Sequence, residues 1–109
     1  MREAVCKLYL ITRLDLPPAQ QAVQAIHAAL KFALEWPGEA RGWYERSNTL
    51  VLLGVQDEPG LILVGQEALG RGISHSAFRE PDRGNELTAI AVAPEGRKIC
   101  RDLKLFLGV

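Results

Sequence analysis

Four side chains that can hydrogen-bond recur at helical spacing in the first third of the chain: Gln20, Gln24, His27 and Lys31. Residues three and four apart share a face of an α-helix, so these groups line up along one edge of whatever segment carries them. A second polar stretch, Arg79-Glu80-Pro81-Asp82-Arg83-Gly84-Asn85-Glu86, crowds three carboxylates and two guanidiniums into a loop shaped by proline and glycine. Thr88 follows that loop, and Arg13 and Asp15 stand together in an earlier turn. Carboxylates and a histidine can move protons, amides and hydroxyls can donate to a developing anion, and clustered cations can hold phosphates. The plainer alternative is boundary polarity, with His27 tucked against the core and a solvated loop whose charges neutralise one another. Against it, charged loops bordering a buried strand, and grooves beyond strand ends, are where α/β proteins place their sites. The two histidines, His27 and His75, lack a convergent ligand set, so neither a metal centre nor a cofactor is expected.

The elements that must position these groups follow from the apolar pattern. Val5, Leu8, Leu10 and Ile11 have the density of a strand buried on both faces, over Val5 to Thr12. Pro17-Pro18 then marks the first turn of a helix reaching Glu35, where the missing proline N–H has no intrahelical partner to lose. On that helix Val23, Ile26, Leu30 and Leu34 form the expected core face, with the polar stripe along its edge. Trp36-Pro37-Gly38 stops the helix, and Trp43 and Tyr44 are expected to cover a sheet edge or the end of the helix. Thr49 to Val55 is a second buried strand, followed by a helix over Leu61 to Gly70 that the acidic Asp57-Glu58-Pro59-Gly60 introduces. Ile73 to Phe78 alternates as an edge strand, Leu87 to Val92 is apolar on both faces, and Arg97 to Leu107 closes the chain with a short helical element. The order predicts an α/β sandwich of two or three layers around a small four-stranded mixed sheet, mostly parallel, with the third strand as its antiparallel member.

Composition bounds the partners. A chain of 109 residues is one domain, and 48% hydrophobic with 24% charged residues describes a globular protein. Thirteen basic and thirteen acidic side chains cancel, so any contact with nucleic acid needs a local patch. No run approaches the roughly 20 apolar residues of a membrane span and no signal-peptide pattern is present, so no membrane partner and a cytoplasmic location are expected. Cys6 and Cys100, without metal spacing, read as small core hydrophobes in a reducing compartment. The second helix and Trp43-Tyr44 offer surfaces for a homodimer.

The first strand, the R-x-D-L turn at Arg13 to Leu16, the Q-x-x-H-A stretch at Gln24 to Ala28 and the T-A-I-A-V-A-P stretch at Thr88 to Pro94 carry a resemblance. Together, over nearly the whole chain, they resemble the small α/β peptidyl-tRNA hydrolases of the archaeal and eukaryotic class. The resemblance implies a four-stranded mixed sheet flanked by helices, and hydrolysis of the ester joining a peptide to the tRNA 3′ ribose without a required metal. It makes tRNA or peptidyl-tRNA the expected partner. Three departures accompany it. Gln20 stands where the family carries a lysine four residues before the helix glutamine. The family's aspartate followed by x-Gly after the third strand aligns with Ser76 and Phe78, and Gly84-Asn85-Glu86 replaces a Pro-Gly-Thr stretch.

Ester cleavage needs an activated water, donors for the oxyanion and a hold on the terminal nucleotides. Glu80 or Asp82 is the expected general base, and His27 a base or orienting partner. Thr88 and Gln20 are the expected oxyanion donors. Arg13, Lys31, Arg79 and Arg83 make the local positive patch for phosphates, with Asp15 and Gln24 completing the binding surface. Two other readings stay open: a non-catalytic member of the fold that binds RNA, a nucleotide or a protein partner in the same groove, and an enzyme acting on a small acylated or nucleotide-like substrate.

Overall fold

The computed structural model describes residues 6–101 and 103–105, so Val5 and Leu107, at the two ends of the expected elements, lie outside the described residues. Strand β1 (Lys7–Arg13) leads into helix α1 (Pro18–Glu35), helix α2 (Pro37–Arg46) and strand β2 (Thr49–Val55). Helix α3 (Glu58–Gly70), the hairpin strands β3 (His75–Glu80) and β4 (Glu86–Val92), a single-turn helix α4 (Arg97–Cys100) and a two-residue strand β5 (Lys104–Leu105) complete it. The sheet order is β3-β4-β1-β2-β5.

The fold is the expected small α/β sandwich with a mixed sheet, but the sheet is mainly antiparallel rather than mostly parallel. Only β1 and β2 pair in parallel, in register from Lys7 opposite Thr49 to Arg13 opposite Val55. Of the four expected strands, the one that runs against β1, β2 and β3 is the inserted β4 rather than the third strand. The pairings of β1 with β4, β2 with β5 and β3 with β4 are antiparallel. The reason lies in the connections. A parallel neighbour requires a crossover, and only the α1–α2 segment supplies one between adjacent strands. After α3 the chain returns at the far edge as β3, turns tightly through Pro81–Arg83 with Gly84 left-handed at φ 65°, and inserts β4 beside β1.

Two apolar layers sandwich the sheet. On one face Leu8, Leu10, Ala89, Ala91 and Ala93 meet Ala25, Ala28 and Phe32 of α1. On the other Tyr9, Ile11, Leu53, Ile90 and Val92 meet Leu61, Val64 and Ala68 of α3 and Ile99 and Cys100 of α4. The expected core stripe of α1 is therefore the wrong one: Val23 is 43%, Ile26 57%, Leu30 60% and Leu34 82% exposed. Gln21, Gln24, Ala25, Ala28 and Phe32 are buried instead. The alanines of β4 let α1 approach closely where it carries Ala25 and Ala28, with Phe32 packed in the same layer, so this stripe faces the sheet and the other aliphatics turn outward.

Elsewhere the local signals resolve cleanly. Pro37 stops α1 and at once opens α2, held by Trp43 Nε1 donating to the Thr49 carbonyl at 2.7 Å and Trp36 Nε1 donating to that of His75 at 3.0 Å. Trp43 covers the α1 layer, whereas Tyr44 stays exposed. Helix α3 starts earlier than Leu61 because the Asp57 carboxylate caps it, accepting the Gly60 N–H at 3.1 Å. Gly72, at φ 67°, and Ile73, whose N–H returns to the Ala68 carbonyl at 2.9 Å, belong to the helix's C-terminal cap, so β3 begins at His75 rather than Ile73. Cys6 lies half-buried just before β1 rather than inside it. Among the described residues no helix is long and apolar enough to cross a membrane.

Candidate functional site

An irregularity in the hairpin decides where Thr88 points. Along β4, Ala89 and Ala91 belong to the α1 layer and Ile90 and Val92 to the α3 layer. Strict alternation would send Thr88 toward α3 and Leu87 toward α1. The register shifts between Phe78 and Arg79, however, so that Phe78 opposes Ala89 while Arg79 opposes Leu87, leaving Thr88 as the extra residue of a β-bulge. The bulge reverses the facing: Leu87 joins the α3 layer, and the Thr88 hydroxyl meets α1.

That hydroxyl begins a chain of hydrogen bonds leading from the core to the surface. Thr12 Oγ1 donates to the Thr88 carbonyl at 3.0 Å, and Thr88 Oγ1 donates to Gln24 Oε1 at 2.7 Å. Gln24 Nε2 in turn donates to Glu80 Oε1 at 2.9 Å and to Gln20 Oε1 at 3.3 Å. Thr88 and Gln24 have no exposed surface, Glu80 is half-buried and Gln20 is exposed. The buried amide is saturated and its orientation is fixed, since its oxygen faces a donor and its nitrogen faces two acceptors. One Glu80 oxygen is held, and the other has no partner among the described residues. Gln20, its oxygen turned to Gln24, presents its own NH₂ outward.

The other members of the helical stripe lie along the same wall. His27 stacks on Phe78 of β3, with ring centroids 4.5 Å apart and an interplanar angle of 12°. Its ring nitrogens make no hydrogen bond among the described residues. Lys31 Nζ donates to the Ala77 carbonyl at 2.6 Å, capping the open edge of β3, and sits 3.9 Å from Glu35. Lys31 thus ties α1 to the hairpin while its side chain stays 41% exposed.

Arg13 heads a separate assembly. Its side chain is 8% exposed, and its Nε and Nη2 fork onto the two oxygens of Asp15, both at 3.0 Å. Nη1 donates to Glu86 Oε1 at 2.9 Å and to the Leu87 carbonyl at 3.2 Å. The guanidinium beside Asp15 holds that carboxyl below the usual range against the opposing effect of desolvation, and the same bonds push the Arg13 pKa upward. Arg83 approaches Glu86 at 3.6 Å. Arg13, expected among the phosphate-binding cations, is instead committed within the protein. Arg79 donates to the Asn85 carbonyl at 3.2 Å and is exposed, and Asp82 is exposed without a bonding partner among the described residues.

The fold therefore gathers Gln20, Gln24, Glu80 and Thr88 into one hydrogen-bonded unit, with His27 and Lys31 along its wall. Arg13 and Asp15 belong to the other assembly. Three contributors were not singled out from the sequence. Glu86 pairs with Arg13, and Glu58 Oε2 accepts the Leu87 N–H at 2.8 Å beside the bulge. Gln21 donates to the Leu16 carbonyl at 2.7 Å, fixing the turn before α1, while its buried Oε1 has no partner. Glu86 was visible in the charged loop, but its pairing depends on β4 lying against β1, which the sequence does not display. Among the described residues no three His, Cys, Asp or Glu side chains converge as metal ligands.

These features define a small α/β domain with a mixed sheet, two helical crossovers and a bulged hairpin. No family model matches the chain, and no curated protein does. Among solved structures it is similar to a protein of unknown function, Atu0240, from Agrobacterium tumefaciens strain C58. The TM-score is 0.67, with 17% identity, over 94% of this chain and 98% of that one. The likeness is one of fold.

Proposed function

We propose that this chain is an ester hydrolase of the peptidyl-tRNA hydrolase type, with Glu80 as general base. The observation that carries the proposal is the bonded series Thr88–Gln24–Glu80, which holds a half-buried carboxylate and leaves one of its oxygens without a partner among the described residues. A water bound at that oxygen would lose its proton to Glu80 as it attacks the ester carbonyl. The outward NH₂ of Gln20 donates to the oxyanion, a neutral substitute for the lysine of the resembled family. Thr88 acts only as a positioning residue, because its buried hydroxyl is spent on Gln24.

The hairpin geometry supports a different match to the family's aspartate than Ser76. Ser76 and Phe78 fall inside β3, and Ser76 Oγ is bonded to Glu35 at 2.6 Å, whereas the carboxylate at the strand's end is Glu80. Asp82 is set aside as the base because nothing orients it. In this reading His27, stacked on Phe78, packs beside the series and relays no proton.

The test is release of labelled peptide from peptidyl-tRNA by the purified protein. Turnover that drops about a hundredfold in Glu80→Gln, with folding intact, is the expected result. A Glu80→Gln rate within tenfold of the parent, about 1.4 kcal/mol in barrier, would remove Glu80 from the mechanism. A second reading, recognition without turnover, is favoured by one observation: Arg13 and Lys31 are both engaged by protein groups, which leaves Arg79 and Arg83 at the rim as the candidate phosphate contacts. It predicts that the parent protein releases no peptide yet binds tRNA with an affinity that falls steeply as salt rises.

A further inference from the structure

At the opposite end of β1, and on the α3 side of the sheet, a second cavity of about 290 Å³ opens between β1, β2 and the α4–β5 segment. Lys7 and Arg97 stand among its walls, with Tyr9 at its base and Val51, Leu53 and Leu103 supplying apolar surface. No acidic side chain lines it among the described residues. Lys7 lies six residues before Arg13 on the same strand, so this cavity is roughly 20 Å from the Arg13 assembly. It is thus separate from the Thr88–Gln24–Glu80 unit, which sits against α1 on the other face.

Tyr9 gives the cavity its chemical direction. The residue is only 7% exposed, and its hydroxyl makes no hydrogen bond among the described residues. A Tyr whose ring is buried usually gives its hydroxyl a hydrogen-bond partner. Burial raises the Tyr9 pKa, with Arg97 opposing, so at neutral pH the group is a proton donor. Lys7 and Arg97 likewise have no bonded partner among the described residues. One neutral donor and the cations Lys7 and Arg97 thus line the same cavity as Val51, Leu53 and Leu103, together with Arg101, which is engaged within the protein.

From these groups we infer that the cavity is a binding site for a small amphipathic carboxylate. The anionic head would take the Tyr9 hydroxyl and the Lys7 and Arg97 charges, and an apolar chain would lie along Val51, Leu53 and Leu103. Charge alone would accept any anion, but apolar walls reward a ligand that also buries hydrocarbon. A head group without a tail satisfies only half of the site.

Calorimetric titration of the full chain with octanoate, acetate, inorganic phosphate and 1-octanol tests this. Octanoate is expected to bind with a negative heat-capacity change, and acetate, phosphate and octanol each at least tenfold more weakly. Tyr9→Phe, which keeps the ring in the core, should weaken octanoate at least fivefold, as should Arg97→Gln at an exposed position. The unfolding midpoint of each variant, taken alongside, separates lost binding from lost folding. Absence of octanoate binding, equal binding of octanol, or octanoate affinity unchanged in both folded variants would overturn the assignment.

Discussion

Thr12 and Arg13 are consecutive on β1, and each opens onto a different polar assembly beside the same β4 segment. Thr12 bonds the Thr88 carbonyl, beneath a neutral series that runs through Gln24 and ends at a half-buried carboxylate. Arg13 anchors a charged cluster in which nearly every guanidinium N–H meets an oxygen of Asp15, Glu86 or Leu87. The neutral series leaves capacity at its outer end, whereas the charged cluster is closed on itself. An assembly with an open end can address a substrate; a closed one fastens the R-x-D-L turn to the start of β4. The sequence presents both sets as equally polar, and the distinction comes from which groups remain unsatisfied.

The largest expected effect breaks the open assembly at its outer end. Glu80→Gln keeps the hydrogen bond from Gln24 but removes the base, so turnover should fall about a hundredfold, roughly 2.7 kcal/mol in barrier, with little change in thermal midpoint. The matching cut in the closed assembly, Arg13→Met, should do the reverse. It leaves the Leu87 carbonyl short of a donor, Asp15 without its cation and Glu86 with only Arg83 at 3.6 Å. Both carboxylates are 41% exposed, so water recovers part of the loss and about 2 kcal/mol of stability should disappear in denaturant titration. Turnover per folded molecule should stay within threefold. Equal loss of activity in the two variants would erase the distinction between the assemblies.

Thr88→Val sharpens the comparison from inside. Valine fills the same volume without the hydroxyl, leaving Gln24 Oε1 buried with no donor at a cost of about 1–2 kcal/mol. Because Gln24 then loses its fixed orientation, turnover should also fall, about tenfold, through kcat rather than KM. Thr88→Ser, which restores the hydroxyl, should recover most of the rate. A stability loss with unchanged kcat in the valine variant would make the series purely structural.

How much of this was legible beforehand depends on the kind of signal. Local punctuation carried well: Pro18 at the start of α1, Pro37 after its end, the cap at Asp57 and the glycine exit at Gly72 each act through their own backbone chemistry. The helical face of α1 did not, because hydropathy ranks Leu30 above Ala28 while packing asks which side chain fits. Ala89 and Ala91, far away in sequence, give the answer by letting α1 approach closely where it carries Ala25 and Ala28. Strand direction was misjudged for a related reason, since apolarity on both faces marks a buried strand of either sense. Thr88 was singled out from the sequence, but its facing rests on a bulge that has no composition signal. The stripe Gln20, Gln24, His27 and Lys31 was legible as a line on a helix; that Gln24 is its buried junction was not.

The smallest effect concerns pH, and it separates the assemblies without altering Glu80. Arg13 lowers the Asp15 pKa from its ordinary 3.8, so the ionised form is favoured in the folded state. A group depressed on folding contributes stability above its unfolded pKa and loses it as pH falls through the folded one. The Arg13 cluster should therefore weaken only below about pH 4. Asp15→Asn should cost under about 1 kcal/mol at pH 7, because the carboxylate is partly exposed and solvent-screened. The parent's advantage over that variant should shrink as pH drops below 4. An advantage that grew in acid would require Asp15 to be held neutral in the fold, and the closed assembly would then not be an ion pair.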